Sequence, residues 1–160
     1  MSTSLLLFAL LQTDGFFTAP ALYPAPTAEE RKLHRYIDEY RRQHRKPPIP
    51  LCKSLSKVAH IHVRDLHANP PVKPCNMHSW SKSPKWKGCC YTRDHRRARC
   101  MWTKPRELTR YRAYGYENSH RAYPRATADT AIRGWKRSKH HNAALLNQRV
   151  WRRRQWRCIG

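Results

Sequence analysis

The chain has 160 residues, 39% of them hydrophobic and 11% aromatic, and it carries 33 Lys and Arg against 10 Asp and Glu, a formal net charge of +23. That length holds one domain with a real core and leaves no room for two comfortable ones, and the aromatic content excludes a disordered tail. The charge points either to polyanionic partners (nucleic acid, anionic lipid, acidic polysaccharide) or to a soluble domain with a very basic surface.

Residues 1–21 read as a signal peptide. An apolar run, Leu5 to Leu11, is followed by Ala19-Pro20-Ala21, small residues in the A-x-A pattern. No Lys or Arg precedes the run, and it is too short to cross a bilayer as a helix, so no transmembrane span is expected. A Pro-rich linker, residues 22–27, leads into the domain, residues 28–160. Thr27-Ala28-Glu29-Glu30 has the form of a capping box, in which the Thr27 hydroxyl accepts from the Glu30 amide while the Glu30 side chain reaches back. Leu33, Tyr36, Ile37 and Tyr40 follow at helical spacing, and the prolines of KPPIP at 46–50 stop that helix. Ser54 is the expected cap of a second helix. Its inner face would hold Leu55, Val58, Ala59, His62 and Leu66, with His62 read as an ordinary face residue, and Asn69-Pro70-Pro71 ends it.

Residues 72–115 have no sustained periodicity and read as long loops pinned by covalent links, with a short strand at Tyr111–Tyr116. A third helix is expected over Thr127–Ser138, with Ala128, Ala131, Ile132 and Trp135 on one stripe, and a short helical turn over His141–Asn147. Trp151–Ile159 reads as an edge strand rich in arginine. No Walker-type loop, GxGxxG loop or GxSxG elbow is present.

The six cysteines, Cys52, Cys75, Cys89, Cys90, Cys100 and Cys158, suggest disulfides in an oxidising compartment. A zinc site would begin with Cys75-x2-His78, but adjacent Cys89 and Cys90 do not suit one tetrahedral centre. We expect Cys75 and Cys100 to pair with Cys89 and Cys90 in an unassigned order, each bridge closing a short loop worth about 3 kcal/mol. Cys52 and Cys158 are left over: they are free thiols, or they pair if the ends meet. His95 has no role legible in the sequence. Trp80, Trp86 and Trp102 are read as buried rings that pin loops, with stacking on bases or sugars as the alternative. Arg152-Arg153-Arg154, beside Trp151 and Trp156, is read as a solvated, poorly ordered end, with a basic-aromatic patch for nucleic acid or a membrane surface as the alternative.

The order YRRQHRKPPIPL, SLSKVAHIHVRDL, CNMHSWS, GYENSH and AIRGWKRSKHHNAALLN resembles the CAP superfamily, also called the SCP or cysteine-rich secretory, antigen 5 and pathogenesis-related domain. The likeness is greatest to bacterial members and spans about residues 28–160; HS, then GxEN, then W-x-x-S-x-x-H in that order carries it. The resemblance implies an α+β fold, an α-β-α sandwich around a small antiparallel sheet. Members continue past W-x-x-I-G into further strand, so a chain ending at Cys158-Ile159-Gly160 is expected to lack the terminal strand.

By the same resemblance, His78, Glu117 and His141 line a central cleft, with His140 one residue off register. The second acid of many eukaryotic members falls on Ser138, which removes one ligand. Two imidazoles and a carboxylate suit a divalent metal such as zinc, with a position left open for water; without metal they suit acid–base work or simply order the cleft. The expected function is a secreted, cell-envelope or periplasmic protein that binds a lipid, glycan or protein through this cleft, with an anionic polymer on its basic surface as a further partner. The alternatives are a metal-dependent hydrolase using His78, Glu117 and His141, and a reduced, zinc-bound nucleic-acid-binding protein.

Overall fold

The computed structural model describes residues 25–160, so the expected signal peptide and the first half of the linker lie outside the described residues. Two sixteen-residue helices open the domain: α1 (Ala28–Gln43) and α2 (Lys53–Ala68). Two short ones, α3 (Arg99–Trp102) and α4 (Lys104–Leu108), follow after a long irregular segment. The chain then forms α5 (Ala128–Arg137), α6 (Lys139–Leu145) and a 3-10 turn at Arg149–Trp151.

The capping box of α1 forms as the sequence requires: Thr27 N–H donates to Glu30 Oε2 at 2.6 Å, and Glu30 N–H donates to Thr27 Oγ1 at 3.2 Å. The helix ends one turn before the prolines, with Arg45 at φ 56° and Lys46 N–H returning to Arg41 O. Helix α5 is capped the same way by Thr127 and Thr130, and it buries the expected stripe of Ala128, Ala131, Ile132 and Trp135. Helix α2 begins earlier than expected. Cys52, not Ser54, occupies the cap position, because its carbonyl takes the amides of Leu55 and Ser56 while its own amide donates to Ile159 O at 2.8 Å. Helix α6 likewise starts two residues before the expected His141, capped by Ser138.

Two clusters form the core. In the first, α1, α5 and α6 close on Ile37, Ala131, Ile132, Trp135, Leu145 and Leu146. Arg41 is buried there too, its guanidinium bonded to Pro47 O, Leu145 O and Asn147 Oδ1, so a charged group is accommodated by fixed acceptors. Asp129 ties α5 to α1 through Lys32 and Tyr36. In the second cluster Trp80, Cys89, Tyr91, Ala98 and Met101 pack beneath Val58 and Ile61 of α2. Trp86 and Trp102 pack against this cluster, so these tryptophans pin loops as expected.

The structure is largely helical, and among the described residues no strand forms. Pairing is confined to isolated bridges: Leu51 with Ile159, Trp80 with Cys89, and Ser83 with Trp86. The reason is local at each place. Beyond the Trp80–Cys89 pair, the Tyr91 amide donates to the Ser79 hydroxyl at 2.9 Å, so a side chain takes the place of the next ladder bond. In the expected strand Tyr111–Tyr116, the Tyr111 amide goes to Thr109 Oγ1 and the Gly115 amide to Trp102 O. In Trp151–Ile159 the chain turns after Trp151 and only Ile159 pairs. Residues 72–115 are loops as expected, except that α3 and α4 interrupt them; helices of four and five residues leave no readable period.

All six cysteines are paired. Cys75 bonds Cys90 and Cys89 bonds Cys100, which is the expected brace with its order now assigned. Cys52 bonds Cys158, because the Leu51–Ile159 bridge brings the ends of the domain together.

Candidate functional site

The only two buried side chains of α2 are polar, His62 and Asp65, one turn apart, and both grip the loop that follows Cys75. Asp65 accepts the Ser81 amide at 2.8 Å and the Ser81 hydroxyl. His62 Nε2 donates to Ser79 O at 2.9 Å, and its ring stacks on Trp80, centroids 4.4 Å apart and planes 4° from parallel. These contacts fix the segment that carries His78, whose own amide donates to Asn76 Oδ1.

Glu117 arrives from the other side, on the GYEN segment. That segment is strapped by Asn118 Nδ2 to His141 O and by Trp135 Nε1 to Ser119 O. Gly115 lets it pass α4: a Cβ there would lie 2.6 Å from Pro105 Cγ. Glu117 then places one oxygen against each imidazole, Oε1 at 2.5 Å from His62 Nδ1 and Oε2 at 2.7 Å from His78 Nδ1.

The bonding pattern assigns the protons. His62 faces a carboxylate on one nitrogen and a carbonyl on the other; both are acceptors, so both ring nitrogens donate and His62 is an imidazolium. Burial by itself would lower the His62 pKa, but the bond and charge of Glu117, the Ser79 carbonyl and Asp65 together raise it above its ordinary 6.5. Burial would likewise raise the Glu117 carboxyl, yet the His62 and His78 bonds outweigh it and hold the group below 4.5. Because Glu117 is ionised, His78 Nδ1 is a donor, and His78 Nε2 is left without a hydrogen-bond partner among the described residues. Tyr91, whose ring centroid lies 5.1 Å from that of His78, has its phenol pushed up by burial and by Glu117. His95 bonds the Tyr91 hydroxyl at 2.8 Å, which gives that histidine a supporting role.

His141 stands at the edge of this group. It is half-buried on the first turn of α6, while His140 is exposed. Burial lowers the His141 pKa, and the charges of His78, His140 and His120 lower it further. It makes no hydrogen bond to Glu117 among the described residues. Ser138 serves as the α6 cap, its hydroxyl 3.5 Å from the His141 amide.

A family model described as the cysteine-rich secretory protein family, CAP, matches residues 34–151. This chain belongs to the CAP family. No curated protein and no solved structure gives a significant match. The paired cysteines of this CAP domain fit a secreted protein, and among the described residues no helix is long and apolar enough to cross a membrane.

The cluster around Glu117 differs from the expected set in its membership. His62, expected to be an ordinary face residue, is the inner partner of Glu117. The legible signal was His62 and Asp65 sharing a face with Leu55, Val58 and Leu66, two polar groups on an otherwise apolar stripe. The zinc reading of His78, Glu117 and His141 does not fit this arrangement. Both Glu117 oxygens are engaged by imidazole N–H groups, and no group of three or more His, Cys, Asp or Glu among the described residues has a geometry able to hold a metal ion. The zinc-bound, reduced reading also loses its ligands, since every cysteine is in a disulfide.

Proposed function

We propose that this CAP-domain protein is secreted and acts by binding a lipid, glycan or protein partner at the cell envelope, with His78 and Glu117 as the recognition element of its cleft. One observation carries the reading: Glu117 is a clamp between two imidazoles, and His78 Nε2 is the polar atom the clamp leaves over. The clamp fixes the His78 ring and tautomer, which suits a preorganised hydrogen-bonding group. A hydrolytic centre needs in addition a nucleophile or a metal-bound water aimed at the same point.

The test sets the wild-type protein, disulfides intact, against Glu117→Gln. Three probes are used: phosphatidylcholine–phosphatidylglycerol vesicles, an array of neutral and acidic glycans, and a solubilised envelope-protein fraction. Saturable binding to one of these, lost in a Glu117→Gln variant that keeps its thermal transition, supports the reading. Hydrolysis of ester or peptide substrates that requires added zinc and vanishes in Glu117→Gln would make the protein a metal-dependent hydrolase instead.

A further inference from the structure

Next to the cleft in sequence, but using none of its side chains, lies an arginine-lined surface. Tyr114 and Tyr116 flank Trp102, with ring centroids 6.3 Å and 5.4 Å from it, and Tyr116 also meets Trp151 at 4.8 Å and Trp156 at 5.8 Å. All five rings are half-buried. Arginines cover the tyrosines of this ladder, one at its end and one at its middle: the Arg106 guanidinium lies 4.9 Å from the Tyr114 ring centre, and that of Arg154 lies 5.7 Å from Tyr116. From Arg106 an open groove of about 790 Å³ continues past Thr109, Arg110, Tyr111 and Arg112. None of the groove's lining residues is acidic. Arg106, Arg110, Arg112 and Arg154 are exposed, and none makes an ion pair with a carboxylate among the described residues.

From this we infer that the surface running from Arg154 over the aromatic ladder into the Arg106–Arg112 groove binds an anionic glycan chain, one bearing sulfate or carboxylate groups. Guanidinium is the side chain best matched to such oxyanions, since its planar fork bonds them bidentately and is weakly hydrated. Two of these guanidiniums are already held over tyrosine rings, so less side-chain freedom is lost when they engage a ligand. Nucleic acid is the other polyanion the charge would draw, and it uses free ring faces for base stacking. Here the rings meet one another edge-on or tilted, and the ladder's two tyrosines are capped by arginine, so the groups offered are guanidiniums rather than stacking platforms. An oxidising compartment, indicated by the three disulfides, is also where acidic glycans are displayed.

The experiment compares two variants of equal charge. One replaces Arg106, Arg110, Arg112 and Arg154 with Gln; the other replaces Arg35, Arg42, Arg121 and Arg125, which are exposed elsewhere. Affinity for heparin and for polygalacturonate is measured at physiological salt beside a poly-dT oligonucleotide, with thermal melts as the control for folding. The groove variant is expected to lose about tenfold or more in glycan affinity, and the control variant less than about threefold. Equal losses in both would show attraction to net charge alone and overturn the inference. It is also overturned if the oligonucleotide binds more tightly than either glycan and is lost in the groove variant. Should the fourfold variant fail to fold, Arg110→Gln/Arg112→Gln against Arg121→Gln/Arg125→Gln gives the same comparison, since neither pair touches a ring of the ladder.

Discussion

His62 is the side chain on which the Glu117 cluster depends. It is 2% exposed, charged, and held by one carboxylate and one carbonyl. His62→Leu keeps the volume but strands Glu117 Oε1 and Ser79 O, which predicts a loss of about 3 kcal/mol, readable from urea unfolding at pH 6. The pH dependence follows from the directions of the two shifts. The His62 pKa is raised above 6.5 by folding, so its contribution is fully present below 6.5 and is lost as pH rises through the folded value. The Glu117 pKa is lowered below 4.5, so its contribution is present above 4.5 and is lost as pH falls through the folded value. Stability should therefore be highest between these limits, and the decline on the alkaline side should disappear in His62→Leu; melting temperature across that pH range measures both. The sequence marked Glu117 and His78 through motif order alone. It did not mark His62, because a histidine on a helix face becomes the partner of Glu117 only when a chain segment 55 positions away is folded against it.

Local signals made the helices the best-read elements. The capping box of α1 and the apolar stripe of α5 are written within a turn or two of chain, and the structure keeps them. Thr27→Ala should cost about 1 kcal/mol, seen as a lower denaturation midpoint with an unchanged slope. Gly115 is tied to its surroundings instead of to its own element. Gly115→Ala forces a Cβ against the Pro105 ring, so α4 and the GYEN segment must separate. The expected result is a melting temperature several degrees lower, whereas Gly88→Ala, which meets the flexible stem of Lys82, should lower it less. Strands were the poorly read elements. A strand exists only if another segment offers a run of its backbone; at Tyr111–Tyr116 the Tyr111 amide goes to a side chain and the Gly115 amide alone reaches Trp102 O, and at Trp151–Ile159 the first amides close local turns and the Ile159 amide alone reaches Pro50 O.

For the molecule as a whole, the Cys52–Cys158 bridge outranks the other two because it closes most of the domain, with a sequence separation of 106. Replacing that pair with serine should remove about 4 to 5 kcal/mol, against roughly 3 kcal/mol for either short bridge, in the chain-entropy view. Thiol titration of the denatured, unreduced protein should find no free thiol in the wild type. Free thiols together with bound zinc would refute the disulfide arrangement.

What the sequence determined by itself was whatever depends on near neighbours: the capped helix α1, the apolar stripe of α5, the loop brace of Cys75, Cys89, Cys90 and Cys100, and, through the order of HSWS, GYEN and the α5–α6 segment, membership of the CAP family. Tertiary structure decided which groups face which. It turned His62 from a face residue into the partner of Glu117, left His141 at the rim, joined Cys52 to Cys158, and laid four arginines along one unpaired surface. The physical reason is common to all of these. Charge, proton position and covalent pairing depend on distances of a few ångströms between residues tens of positions apart, and those distances exist only once the two cores have closed.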